Sequence, residues 1–137
     1  MIVIDTNIII SAIIKDSVTR KILVESSLDF GFPKISVAEI EKHKDYIMEK
    51  SGLGKLDFEK LLNTLFEYIY LIPQEIVQPQ MEKAASVMGK IDIKDVVFLA
   101  AALALNSPIW TDDKDFERQN IIKIIKTSDL VRLFENV

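Results

Sequence analysis

The sequence predicts an α/β domain with a mostly parallel central sheet. Three observations carry that prediction. Short apolar segments alternate with stretches whose apolar residues recur at helical spacing. The first of these segments, Ile2, Val3 and Ile4, is continuous and ends at Asp5, as in a strand buried at the centre of a sheet. Residues 92–105 form a helical pattern that is apolar almost all round, which requires burial on most sides.

Each element follows from local pattern. After the N-terminal strand, residues 8–14 and 18–24 carry helical spacing. Residues 30–32, interrupted by Gly31 and stopped by Pro33, give a short strand or strand-like turn. Ser36 with Glu39 three positions later is a capping-box pattern, predicting a helix from Ser36 toward Met48. Gly52 and Gly54 bracket a loop. Phe58, Leu61, Leu62, Leu65, Phe66 and Ile69 then recur at helical intervals, and residues 70–73 form a strand ended by Pro73. A helix is expected from about Gln80 to Met88, followed by the buried helix of residues 92–105. Residues 108–111 and 121–125 are strands, and Ser128 starts a final helix.

The chain of 137 residues is expected to form one domain over residues 1–137. It contains no cysteine, which excludes disulfides, thiolate metal sites and cysteine nucleophiles. With a single histidine, zinc catalysis and histidine triads have little to work with. No apolar run approaches the ~20 residues needed to cross a bilayer, and the N-terminus lacks a signal-peptide pattern. The expectation is a soluble, cytoplasmic protein with no membrane association. A hydrophobic content of 49% leaves room for a buried subunit interface. Net charge is −4, from 17 basic and 21 acidic residues, which argues against holding nucleic acid by a broad basic surface.

The acids fall at element junctions. Asp5 ends the first strand, Asp113 and Asp115 follow the strand at 108–111, and Glu39 opens a helix. Asp92 and Asp95, three apart and so on one helix face, open the buried helix. In open parallel sheets such junctions gather beyond the carboxyl ends of the strands, where ligands bind. Singly, each acid has a structural explanation: Asp5 as a cap, Glu39 as the reciprocal partner of Ser36, Asp92 or Asp95 as a complement to the helix dipole, Asp112, Asp113 and Asp115 as a solvated turn. Together, carboxylates crowded at partly buried positions repel and take up protons, which a divalent cation with oxygen ligands relieves. An all-oxygen set rich in aspartate suits Mg²⁺ or Mn²⁺. Such a cation lets an acidic pocket meet a polyanion, and the reaction class that follows is phosphodiester hydrolysis.

The segments Asp5-Thr6-Asn7, Ser36-Val37-Ala38-Glu39-Ile40, the run from Asp92 to Ala100, and Trp110-Thr111-Asp112-Asp113-Lys114-Asp115-Phe116, in this order and spacing, resemble the motifs of the PIN-domain family. The resemblance implies a three-layer α/β/α domain and an Mg²⁺- or Mn²⁺-dependent endoribonuclease acting on RNA. It implies Asp5, Glu39, Asp95 and Asp113 as the catalytic, metal-binding acids, and Asp92 and Asp115 as additional metal ligands. Thr6, Asn7 and Thr111 match small polar residues that orient ligands or water. Many small members of the family are VapC-like toxins that pair with an antitoxin protein, and many are homodimers.

Two other classes share some of these features. A receiver-like phosphotransfer protein also places an Asp after a strand of a parallel sheet, but Asn7 stands where an aspartyl-phosphate hydrolase needs a second acid. A non-catalytic binding module is compatible with the apolar composition. Among remaining candidates, His43 follows Glu39 by four positions and shares its helix face, though a plain surface role fits it better. Lys42, Lys44, Lys94, Lys114 and Arg118 lie near the acids in sequence, Trp110 and Phe116 read as core, and the loop at residues 50–55 and the segment at 74–80 are candidates for substrate contact.

Overall fold

The structure, a computed structural model, describes residues 1–14 and 18–135. The first strand, β1 (Ile2–Ile4), is short because Asp5 and Thr6 turn the chain directly into α1 (Thr6–Ile14). Next come α2 (Val18–Glu25) and β2 (Phe30–Pro33). Gly31 leaves room in β2 for two side-chain ends: a Cβ there would lie 2.7 Å from the Met1 sulfur and 3.0 Å from Ile72 Cδ1, and both would have to shift.

The helix predicted from Ser36 toward Met48 is broken in two. A 3-10 turn at Lys34–Ser36 leads into α3 (Val37–Lys42), and α4 (Lys44–Ser51) follows after His43. Ser36 has helical backbone angles and its side chain caps nothing, so the expected capping box is not formed. Gly52 ends α4 in the left-handed conformation at φ 74°. From α5 (Lys55–Phe66) the chain enters β3 (Ile69–Ile72), so Ile69 belongs to the strand and not to the helical run before it.

After β3 come α6 (Gln74–Val77) and a 3-10 turn at Gln78–Gln80, leading into α7 (Met81–Met88). The predicted helix at 92–105 is a 3-10 turn, Ile93–Asp95, followed by α8 (Val96–Leu105). Then come β4 (Ile109–Trp110), a 3-10 turn at Lys114–Arg118, β5 (Ile124–Ile125) and α9 (Thr127–Glu135).

The sheet has strand order β3-β2-β1-β4-β5 and every pairing is parallel. With helices on both faces this is a three-layer α/β/α fold. The core confirms the reading of residues 96–102: Val96, Phe98, Leu99, Ala100, Ala101 and Ala102 of α8 are all buried, with α8 against β1, β2 and β4 on one side and α6 and α7 on the other. Phe32 packs on Phe98 with centroids 5.9 Å apart, and Phe30 on Trp110 at 5.6 Å. Trp110 and Phe116 are fully buried, as predicted for core residues. No helix among the described residues is long and apolar enough to cross a membrane.

The topology fixes where a site can form. From β1 the chain moves outward through β2 to β3, then crosses back to place β4 on the other side of β1. The order of succession therefore reverses between β1 and β4, and a crevice opens beyond their carboxyl ends. Asp5 and Thr111 are the residues at those two ends.

Candidate metal centre

The strand register brings the first two groups together. Val3 pairs with Ile109 and Ile4 with Trp110, so the next positions, Asp5 and Thr111, stand side by side. The Thr111 hydroxyl donates to Asp5 Oδ2 and accepts the Asp113 backbone N–H at 3.0 Å. Asp5 Oδ1 accepts the Ile8 N–H in the first turn of α1 at 3.0 Å. The capping role considered for Asp5 is thus real, and it uses one oxygen of a carboxylate that also lines the crevice.

Glu39 comes from α3. Its Oε2 accepts the Thr6 hydroxyl at 2.9 Å, a tie across the cleft that replaces the expected pairing with Ser36. Asp92 caps the 3-10 turn before α8, accepting the Lys94 N–H at 3.0 Å, and Asp95 ends that turn. On the far side Asp113 caps the turn after β4, its Oδ1 accepting the Asp115 N–H at 2.9 Å. The shortness of these turns places their carboxylates at the carboxyl edge of the sheet.

The result is one cleft of about 500 Å³, lined by Asp5, Thr6, Asn7, Glu39, Asp92, Asp95 and Asp113 among others. Of these, Asp92 and Asp95 group with Asp115, each of the three offering an oxygen within 4.8 Å of the others. Thr111 lies behind Asp5 as its donor. Asp5, Glu39, Asp92, Asp95 and Asp113 therefore line one cleft, and Asp115 lies close to Asp92 and Asp95. The closest trio is Asp92, Asp95 and Asp115, rather than the four motif acids together.

Electrostatics sharpen the picture. Burial pushes the Asp5 carboxyl up to about 6, against the lowering effect of its bonds from Thr111 and Ile8, with Asp113 and Asp112 adding repulsion. Asp95 is pushed up to about 7, first by burial and then by the negative charges of Asp92, Asp113, Asp5 and Asp115. Asp95 Oδ2 is buried and has no hydrogen-bond donor. A buried carboxylate oxygen without a donor is costly unless a cation meets it. The all-oxygen donor set, the mutual repulsion and this unpartnered oxygen fit a hard divalent cation.

The chain belongs to the PIN domain family, whose model matches residues 3–129. No curated protein matches the chain at a significant level. The match covers the four segments singled out in the sequence, from Asp5 to Phe116.

Other residues divide clearly. Asp112 turns away from the PIN cleft: its oxygens accept the Thr127 N–H at 2.8 Å and hydroxyl at 2.6 Å, and Thr127 Oγ1 accepts the Trp110 indole N–H at 2.9 Å. Lys44 pairs with Glu59 at 3.4 Å, whereas Lys94 and His43 line the cleft. Lining residues not foreseen from sequence are Ile10, Ser11, Ile14, Tyr46 and Phe98. A signal for them was present: Asn7, Ile10, Ser11 and Ile14 share one stripe of α1, and Tyr46 continues the Glu39–His43 spacing by three positions.

Proposed function

We propose that this PIN protein is an Mg²⁺- or Mn²⁺-dependent endoribonuclease, with Asp5, Glu39, Asp95 and Asp113 as its catalytic acids. The observation that carries this reading is Asp95: a buried carboxylate oxygen with no donor, on a cleft-lining residue that offers an oxygen within 4.8 Å of oxygens of Asp92 and Asp115. Asp95, Asp92 and Asp115 would hold the cation, with Asp5, Glu39 and Asp113 facing the same cleft. When bound, it would offset the acids' charge, let a phosphate approach, and make water more acidic for attack on phosphorus. The protein's own part is positioning. Thr111 fixes Asp5 and the Asp113 backbone, Thr6 fixes Glu39, and Asn7 is exposed at the mouth, where it can donate to a phosphate oxygen or a water.

RNA as substrate, a VapC-like toxin role with an antitoxin partner, a homodimeric state and a cytoplasmic location extend the same reading and rest on the family resemblance. Residues 1–137 are taken as one nuclease domain. The test is incubation of purified protein with a mixture of transfer, ribosomal and messenger RNA in Mg²⁺ or Mn²⁺. Cleavage that stops with EDTA and in Asp95→Asn is expected; folded wild-type protein that cuts none of these RNAs with either metal overturns the reading. Co-purification with the product of a neighbouring reading frame tests the antitoxin, and light scattering tests the dimer.

A further inference from the structure

The acids occupy only part of the cleft. A second wall is built by His43, at the junction of α3 and α4, and by Tyr46 in the first turn of α4, with Ile10 and Ile14 of α1 also lining the cavity and Lys94 at the acid side. Tyr46 is 52% exposed, so about half of its surface is open to a ligand. Its neighbour in α4, Ile47, is fully buried and anchors the helix on the core. Tyr46 is thus a large aromatic held at the rim of an acidic cavity by a helix anchored through Ile47. The Lys50 ammonium lies 5.9 Å from the ring centroid, which places positive charge beside an aromatic face in the same region.

A ligand that suits both halves of the cleft carries an anionic group for a cation held by the acids and a flat π-surface for the ring. A nucleotide does both, because every base has a face that stacks on an aromatic side chain. We propose that Tyr46 is the base-stacking platform of this cleft: the base next to the phosphate held at the acids lies on its ring, with Lys94 at the adjoining phosphate and His43 beside the sugar or base edge. This assignment rests on the nuclease reading only for which phosphate is cut. Binding by stacking stands by itself. It also sets a selection rule, since a base paired inside a duplex cannot turn its face to the ring.

The test is equilibrium binding of the unsubstituted full-length chain, in Ca²⁺ as an oxygen-seeking cation and with the oligonucleotide checked as intact on a gel, to short RNA oligonucleotides containing 2-aminopurine. Anisotropy of an end label gives affinity, and 2-aminopurine emission reports stacking. Tyr46→Ala is expected to weaken binding of a single strand roughly tenfold and to remove the quenching. Tyr46→Phe, which keeps the ring, should preserve both, and the same sequence closed in a duplex should bind weakly whichever residue stands at position 46. Because Tyr46 is half exposed, neither variant should shift the melting temperature appreciably. Unchanged affinity and quenching in Tyr46→Ala overturn the assignment, as does a loss in Tyr46→Phe equal to that in Tyr46→Ala, or failure of the parent to bind single strands. Wild-type protein that never cuts RNA, with Tyr46-dependent quenching intact, would remove the nuclease reading and leave this one. Cleavage without any dependence on Tyr46 would do the reverse.

Discussion

The Thr111 hydroxyl donates to Asp5, a residue 106 positions earlier in the chain, while accepting the backbone N–H of Asp113. One small side chain thereby sets the position of two acids contributed by neighbouring strands. Replacing Thr111 with Val keeps the shape, strips Asp5 of a donor and leaves an N–H without its acceptor. A stability loss of about 1–3 kcal/mol is expected from the unmade bonds, together with a roughly 10–100-fold fall in RNA cleavage, as for residues that orient metal ligands. Because the Thr111 bond lowers the Asp5 pKa, the acid limb of the pH–activity profile should move to higher pH. Thr111→Ser should restore both. Kinetics across pH for the three proteins check this, and an unshifted acid limb in Thr111→Val would argue against it.

The raised carboxyls give the metal-free protein a defined pH response. Asp5 at about 6 and Asp95 at about 7 bind protons more tightly folded than at the ordinary value of 3.8. Their contribution to stability is complete below that value and is lost as pH rises toward about 7. Asp95→Asn abolishes the Asp95 share of this loss. In EDTA, its melting temperature minus that of wild type should grow between about pH 4 and pH 7 and then level off, at roughly 2–5 °C per kcal/mol. Thermal melts at several pH values measure it, and a constant or shrinking difference would contradict the assignment.

Metal should reverse that penalty. Mg²⁺ or Mn²⁺ at about a hundred times its dissociation constant should stabilise the fold by about 2.7 kcal/mol. The gain should increase from about pH 5.5 to pH 8, because the ligands must first lose their protons. It should vanish in Asp95→Asn and shrink in Asp92→Asn and Asp115→Asn, the other members of the closest trio. Melts with and without metal in all four proteins provide the comparison.

Asp112 offers the control. It sits beside Asp113 in sequence but holds Thr127 at the start of α9 and, through it, Trp110. Asp112→Ala should cost about 1–2 kcal/mol through lost capping and hydrogen bonds. Cleavage per folded molecule should stay within about twofold of wild type. Activity measured well below the melting temperature separates the two effects.

What the sequence determined by itself was the alternation of strands and helices, and the placing of every candidate acid at a junction. Apolar periodicity is local, and a parallel sheet has few ways to satisfy it. The strand Ile2–Ile4 and the apolar run Val96–Leu105 were legible for that reason. Tertiary structure decided the partners. Glu39 had a good local partner in Ser36, yet Thr6 takes its carboxylate. Asp112 and Asp113 are chemically alike and adjacent, yet one braces a helix while the other lines the cleft. His43 and Tyr46 became wall residues only when α4 turned beside α1. Hydrogen bonds and charge repulsion act over a few ångströms in space. Which groups come that close depends on sheet order and strand register, and these are set by packing the whole chain at once.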